Sequence, residues 1–162
     1  KFNRDIIQYA EKEFNILLGE TMAEEVKIKI GSALPTKNKM EMAVRGRDLV
    51  TGLPKEITVT EEQIREAIKR SLNIIAEEIK SIIEITPPEL VADIYQRGII
   101  LCGGGALLKN IDHFISDTVK IPVYIADDPL TCVVRGAGII LEDKALLENL
   151  MTINKNIFLQ IR

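Results

Sequence analysis

The chain has 162 residues and a formal net charge of −3, and 46% of its residues are hydrophobic, 28% charged and 4% aromatic. This composition is typical of a globular domain with an aliphatic core, and the acidic balance argues against nucleic acid as the main partner, because phosphate-binding surfaces are usually basic. No apolar run approaches the ~20 residues that cross a bilayer, so we expect no transmembrane segment.

Two helices are predicted at the start of the chain. Apolar residues at helical spacing indicate a helix over residues 4–18, which ends at Gly19, and a second helix over residues 22–32. Glu24 and Lys27 share one face of the second helix. Their spacing alone predicts a solvated ion pair that contributes ~0.2–0.5 kcal/mol.

A hairpin follows, and it leads into a helix with a marked start signal. Alternating apolar residues over 40–44 and 57–59 predict two short strands joined by a loop that contains a glycine and a proline. Thr60 and Gln63 form a capping box, in which each side chain bonds the backbone N–H of the other residue. We therefore expect a helix to begin directly after Thr60.

The helix that begins there is predicted to be the longest in the chain. Its apolar residues follow steps of three and four and form one stripe: Ile64, Ile68, Leu72, Ile75, Ile79 and Ile82. Pro87 and Pro88 end the helix, because proline lacks the N–H that a helix interior needs. Thr86 is predicted to cap a short helix that reaches about Tyr95.

The last third of the chain has the pattern of an α/β unit. A continuous apolar run over 99–102 predicts a strand that is buried on both faces. A helix over 107–119, a short strand over 122–126 and a helix over 127–141 follow it. This alternation predicts parallel strands with a right-handed crossover.

Three consecutive glycines, Gly103 to Gly105, lie between that strand and the helix after it. In α/β proteins such a turn is where phosphates or sugars bind, because a ligand can contact bare backbone and the helix N-terminus supplies free N–H groups and a partial positive charge. A turn that only packs closely fits the same pattern equally well. The spacing matches neither the dinucleotide fingerprint nor a P-loop.

The histidine, the paired aspartates and the two cysteines are predicted to have structural rather than catalytic roles. His113 is the only histidine and has no cysteine or serine partner at useful spacing, so we expect it at the surface. Asp127 and Asp128 precede a proline and fit a helix cap better than an acid–base pair. Cys102 and Cys132 lie in apolar runs, so buried free thiols are expected rather than a disulfide.

Several blocks carry more information than their spacing does. In chain order they read AEEVKIKIGSA, VRGRDLVTGLP, TPPELVADI, YQRGIILCGGGALLKNIDHFI and IPVYIADDPLTCVVRGAGIILE. Together they resemble the C-terminal half of the bacterial actin homologue MreB and its paralogue Mbl, and the resemblance covers about residues 1 to 143. Because the chain begins at Lys1 with no disordered lead-in, we expect it to be a fragment of a longer protein.

The resemblance implies an α/β fold of the actin-like, ribonuclease-H-like ATPase class. In that family ATP lies in a cleft between two large halves, and this chain would form most of the second half. Residues 1–14 and 61–143 would form the inner subdomain, IIA, and residues 15–60 a small outer α+β subdomain, IIB, inserted in it. The tail, residues 144–162, has no assigned counterpart.

The resemblance also implies which residues bind the nucleotide. In the family, the glycine turn lies against the adenosine and the α-phosphate, and the helix of the small subdomain presents an acid and a lysine to the adenosine. The positions that carry over are Glu24, Lys27, Gly103, Gly104, Gly105 and Ala106.

The resemblance places the catalytic groups elsewhere. The phosphate-clamping hairpins, the Mg²⁺ ligand and the residue that positions the attacking water belong to the other half. We therefore assign no catalytic or metal-binding residue here, and we expect the parent to be a slow ATPase but the fragment alone not to hydrolyse ATP.

The function implied by the resemblance is that of a cytoplasmic, ATP-dependent, filament-forming cytoskeletal protein that maintains rod shape by organising cell-wall synthesis. Its expected partners are further copies of itself, a membrane-anchored adaptor of the RodZ type and the cell-wall elongation machinery, with membrane contact through the other half and none with nucleic acid. One alternative is half of a sugar-kinase or chaperone-type ATPase of the same superfamily. Another is a binding module with no nucleotide role.

Overall fold

The structure, a computed structural model, describes residues 1–145, 147 and 148. Its elements are, in chain order, α1 (Phe2–Phe14), β1 (Ile16–Leu17), α2 (Glu20–Ile30), β2 (Glu41–Asp48), β3 (Pro54–Thr60), α3 (Glu61–Glu84), α4 (Pro88–Arg97), β4 (Ile99–Leu101), a 3₁₀ turn (Gly104–Leu107), α5 (Ile111–Val119), β5 (Val123–Ile125) and α6 (Cys132–Glu142). Most of the unassigned tail, residues 146 and 149–162, lies outside the described residues. No helix of the described part is long and apolar enough to cross a bilayer.

The first helix ends at Phe14, and the predicted helix to residue 18 was wrong. Asn15 adopts the left-handed conformation, with φ 53° and ψ 41°, and its N–H bonds the carbonyl groups of the last turn of α1. Asparagine tolerates this conformation better than most residues, so it ends helices as glycine does. The following Ile16 and Leu17 form strand β1 instead.

The predicted hairpin is confirmed, and β1 extends it to a three-stranded antiparallel sheet in the order β1-β2-β3. Val44 pairs with Ile57, and Val44 and Val59 are buried. Strand β1 approaches β2 very closely at Gly46, where a Cβ atom would lie 2.3 Å from the carbonyl oxygen of Leu17. Glycine is therefore required at position 46 for the sheet to close.

The hydrophobic core lies between α1, α2, α3, α5 and the antiparallel sheet. Buried side chains from these elements form one cluster, which includes Ile6, Val26, Val44, Ile68, Leu72 and Ile115. The predicted capping box of Thr60 and Gln63 is confirmed. The predicted stripe of α3 is buried only over its first half, since Leu72 is 2% exposed whereas Ile82, near the C-terminal end, is 60% exposed.

Strands β4 and β5 pair in parallel, as predicted, with Ile99 opposite Val123. The predicted burial of β4 on both faces was wrong for the described part of the chain, because Ile100 is 67% exposed. The antiparallel sheet falls within residues 15–60 and the parallel pair within residues 61–143. The division of the chain into two subdomains at those positions stays a prediction.

Three of the later helices begin after their predicted starts. Pro87 takes the capping position of α4, and the hydroxyl of Thr86 donates instead to a carbonyl group of α3. Asn110, with φ 59°, delays α5 to Ile111. Asp128, with φ 47°, forms a turn with its neighbours, so α6 begins only at Cys132. In each case a local turn closes before the helix can start.

Candidate functional site

A cleft of about 320 Å³ lies where α1, α2 and the glycine turn meet. Glu24 and Lys27 supply charged groups to its wall, and Gly104 and Gly105 supply bare backbone. The rest of the lining is apolar and comes from distant parts of the chain: Phe2, Ile28, Leu107, Leu108 and Leu130. A mainly apolar wall with a few convergent polar groups is typical of a small-molecule site.

The structure brings four of the six predicted site residues to this cleft, namely Glu24, Lys27, Gly104 and Gly105. The other two lie in the turn but do not line the cleft. Gly103 has φ 79°, a conformation that favours glycine, and its N–H donates to the Pro129 carbonyl at 2.6 Å. Ala106 is buried, and its N–H donates to the Gly103 carbonyl at 3.1 Å. These two residues shape the turn.

Close packing against other described residues does not explain why positions 104 and 105 are glycine. A Cβ atom at Gly105 would have no described atom within 4 Å, and one at Gly104 would meet only Leu130, at an ordinary contact distance of 3.5 Å. Neither residue has a positive φ. Their missing side chains leave open space beside the cleft, which is what close approach of a ligand to backbone requires.

The N-terminus of an α-helix does not follow the glycines directly, contrary to the prediction. Residues Gly104–Leu107 form a single 3₁₀ turn, and α5 begins only at Ile111. The prediction that a helix dipole contributes at the glycine turn was therefore wrong.

The glycine turn does offer backbone donors. Within the described part of the chain, no backbone carbonyl accepts a hydrogen bond from the N–H of Gly104 or of Gly105. These two donors are free to bond water or a ligand.

Hydrogen bonds hold the segment after the glycine turn against the C-terminal end of α2. The Lys109 carbonyl accepts from the Ala33 N–H at 2.8 Å, and the Lys109 ammonium donates to the Lys29 carbonyl at 2.7 Å. The amide of Asn110 donates to the hydroxyl of Ser32, which is fully buried, at 3.0 Å. These bonds fix α2 relative to the turn, so the two sides of the cleft keep their separation.

The predicted ion pair on α2 is confirmed, with the Lys27 Nζ 3.5 Å from a Glu24 carboxylate oxygen. It is not fully solvated, however, because the Lys27 side chain is only 23% exposed. The Lys27 ammonium also donates to Oδ1 of Asn3 on α1, at 2.9 Å. The lysine is thus held by two oxygen atoms while it lines the cleft.

Sequence reasoning missed the apolar lining and Asn3. Ile28 carried a signal, because it lies one turn after Glu24 and outside the buried face of α2, and it is 66% exposed. Leu107 and Leu130 are also exposed, but nothing in the linear sequence brings them together. Asn3 gave no signal, since its partner Lys27 is 24 residues away.

The remaining chemical candidates lie elsewhere. His113 is on the surface, as predicted, with its side chain 73% exposed. Asp128 bonds the Thr131 hydroxyl within a turn before α6. Both cysteines are free in the structure, but the predicted burial was wrong, because Cys102 is exposed and Cys132 is half-buried.

Residues 1–149 match the family model described as MreB/Mbl protein. The chain is 47% identical over 143 residues to the cell shape-determining protein Mbl of Bacillus cereus, and the match covers 88% of this chain and 43% of that protein. The chain therefore spans less than half the length of the curated relatives that it matches.

Solved structures of similar proteins agree with the family match. MreB5 of Spiroplasma citri bound to AMPPNP superposes with a TM-score of 0.85 at 40% identity, covering 93% of this chain and 45% of that one. The ADP-bound crystal structure of MreB5 gives 0.84 at 41% identity, covering 96% and 45%. A double helical filament of MamK, 19% identical with a TM-score of 0.73 over 88% of this chain and 43% of that one, shares the fold. The expected α/β, actin-like fold is thereby confirmed, and the chain belongs to the MreB/Mbl family.

Proposed function

We propose that the cleft between α2 and the glycine turn binds the nucleoside part of ATP. The observation that carries the proposal is the meeting of Glu24 and Lys27 with the open backbone of Gly104 and Gly105 around one cavity. It is supported by the identity of 40% to MreB5, a protein crystallised with AMPPNP and with ADP. The match to the MreB/Mbl family favours a protein of that class over half of a sugar-kinase or chaperone-type ATPase.

The chemistry of the lining fits a purine nucleoside. Apolar side chains such as Phe2 and Ile28 offer a surface for a flat base. The Glu24 carboxylate would accept hydrogen bonds from amine or hydroxyl groups, and the Lys27 ammonium would donate to ring nitrogens or sugar oxygens. The missing Cβ atoms at Gly104 and Gly105 would let the ligand lie against main chain.

The proposal assigns the nucleoside, and not the transferred phosphate, to this chain. Phosphoryl transfer depends on Mg²⁺ and on groups that position the attacking water. We place those groups in the part of its relatives that this chain does not span, since it covers 43% of the Mbl of Bacillus cereus. The full-length protein would then be a slow ATPase, and the 162-residue chain alone would bind nucleotide weakly.

The proposal extends to the subdomains. The inner subdomain, residues 1–14 and 61–143, would contribute the glycine turn, and the outer subdomain, residues 15–60, would contribute α2. The cleft would lie at their junction, since Phe2 and Gly105 come from the first and Glu24 from the second. A nucleotide bound there would contact both subdomains.

The cellular role follows from the family. We propose a cytoplasmic protein that assembles with copies of itself into filaments and maintains rod shape, because the relative Mbl is named a cell shape-determining protein. A membrane-anchored adaptor of the RodZ type and the cell-wall elongation machinery would be its partners. Contact with the membrane would come from the part of its relatives that this chain does not span.

Nucleotide titration of the full-length protein tests the site. We expect Lys27→Ala and Gly105→Val each to weaken the binding of ADP at least about tenfold, because one removes a donor and the other fills the open space beside the turn. Lys29→Ala is the matched control: it lies on the same helix with its own glutamate partner, Glu25, and does not line the cleft. Unchanged affinity in both cleft variants would refute the proposal. In a sedimentation assay of filament assembly with ATP, the Gly105→Val variant should also stay in the supernatant.

A further inference from the structure

The side-chain amide of Asn3 connects α1 with the charged residues of α2. Its Oδ1 accepts a hydrogen bond from the Lys27 ammonium at 2.9 Å, and its Nδ2 donates to a carboxylate oxygen of Glu20, also at 2.9 Å. The two ends of the amide have opposite character, and each faces the partner that suits it. The orientation of the amide is therefore fixed, since a flipped amide would place donor against donor and acceptor against acceptor.

A second lysine on the same helix shows what Asn3 adds. Lys29 pairs only with Glu25, one turn earlier on α2, and its side chain is 58% exposed. Lys27 pairs with Glu24 and is 23% exposed. The two ammonium groups differ in their contact with α1, because the Lys29 ammonium donates to no group outside α2 among the described residues, whereas the Lys27 ammonium donates to Asn3. The Lys27 ammonium is thus held from two helices and the Lys29 ammonium from one.

We infer that Asn3 is a positioning residue for the nucleoside site, which holds the ammonium of Lys27 at the wall of the cleft before a ligand arrives. The inference rests on the proposed function, because it names a further residue that acts in the same site. Asn3 does not line the cleft, so its effect on a ligand passes through Lys27. A lysine that is already ordered loses less side-chain freedom on binding, which strengthens the affinity.

Glu20 has a defined part in this arrangement. It accepts from Nδ2 of Asn3, so it turns Oδ1 toward Lys27. Glu20 is itself exposed and does not line the cleft. Removing its side chain should loosen Asn3 without disturbing the core or touching the ligand.

A measurement without nucleotide tests the hold on Lys27. The full-length protein is treated with an amine-acylating reagent, and the modification rate of each lysine is followed by mass spectrometry. We expect Asn3→Ala to raise the rate at Lys27 about threefold, with Lys29 unchanged, because a released ammonium is more accessible. Glu20→Ala should raise it in the same direction by less. A rate at Lys27 that stays at the native value in Asn3→Ala would overturn the inference.

A double-mutant cycle on ADP affinity tests the route of the effect. Asn3→Ala should weaken binding about threefold to tenfold in the native background and should have no further effect once Lys27→Ala is present. A merely structural contact between α1 and α2 would weaken binding in both backgrounds, which would overturn the inference. Because Asn3→Ala also removes a helix–helix contact, Glu20→Ala is measured beside it, and thermal unfolding identifies any loss of fold.

The outcomes separate the inference from the function on which it rests. If Lys27→Ala weakens ADP binding and neither Asn3→Ala nor Glu20→Ala does, the site stands and the positioning role fails. If Lys27→Ala and Gly105→Val both leave ADP binding unchanged, the proposed function fails, and the role of Asn3 in nucleotide binding fails with it. Support requires both a more reactive Lys27 and a loss of affinity that disappears in the Lys27→Ala background.

Discussion

The guanidinium of Arg65 lies 2.8 Å from the carboxylate of Glu61, which is 4% exposed at the first turn of α3. The same carboxylate accepts hydrogen bonds from the backbone N–H of Thr36, at 3.1 Å, and from the Thr36 hydroxyl. One buried acid therefore ties the loop after α2 to the start of α3. Three donors bond to it, and one of them, the Thr36 hydroxyl, can also donate to the Asn38 carbonyl, at 2.8 Å.

We expect Glu61→Ala to lower the free energy of unfolding by about 2 to 3 kcal/mol, because it leaves the partly buried Arg65 guanidinium and Thr36 N–H without their acceptor. Chemical denaturation measures the loss. Glu56→Ala is the control, since Glu56 pairs with Arg45 on the exposed face of the hairpin, where ion pairs contribute little. Equal losses of unfolding free energy in the two variants would contradict the prediction that the buried glutamate stabilises the fold more than the exposed one.

Gly46 and Gly105 should respond in opposite ways to the same added methyl group. At Gly46 a Cβ atom would lie 2.3 Å from the Leu17 carbonyl oxygen, whereas at Gly105 it would meet no described atom within 4 Å. We expect Gly46→Ala to destabilise the fold by about 1 to 3 kcal/mol or more through overpacking between strands. Gly105→Ala should leave the unfolding midpoint nearly unchanged. A stable Gly46→Ala would contradict the close approach of β1 to β2, and an unfolded Gly105→Ala would contradict the open space beside the glycine turn.

Elements with strong local signals could be predicted from the sequence. The capping box of Thr60 and Gln63 defines the start of α3 through residues only three positions apart, and the continuous apolar run at residues 99–102 marks a strand. The errors in the bounds of the helices lie at turns. Asn15 and Asn110 adopt left-handed conformations that end one helix and delay another. Asparagine permits this conformation but does not require it, so the choice depends on tertiary packing, which the local sequence does not show.

The candidate site was predictable in part, and for a different reason. The glycine turn had a pattern of its own, whereas the assignment of Glu24 and Lys27 came from a resemblance, and the role of all of them as nucleotide ligands stays a prediction. The apolar wall and Asn3 could not be found in this way, because the cleft joins Phe2 to Leu130 across most of the chain. Contacts of such long separation exist only once the fold has formed.

The last prediction concerns pH and the tip of the hairpin. The carboxylate of Asp48 accepts hydrogen bonds from the N–H groups of Thr51 and Val50, at 2.9 Å and 2.8 Å, and lies 3.1 Å from the Lys55 ammonium. The Thr51 N–H, followed by Lys55 and the Val50 N–H, lowers the pKa of Asp48 from 3.8 to about 2. Because the folded state binds this proton less readily than the unfolded state, the contribution of Asp48 to stability is fully present above the unfolded pKa and is lost as the pH falls toward about 2.

Asp48→Asn isolates this contribution. The difference in unfolding free energy between the native protein and the variant should be constant from neutral pH to about pH 5, and it should shrink steadily between about pH 5 and about pH 2. Denaturant titrations at successive pH values measure both proteins. A second variant, Lys55→Met, removes one of the three groups that favour the ionised carboxylate, so the window should move toward the ordinary pKa of aspartate. A difference that stays the same from about pH 6 to about pH 2 would mean that Asp48 titrates alike in the folded and unfolded chain, and that the turn does not depend on its charge.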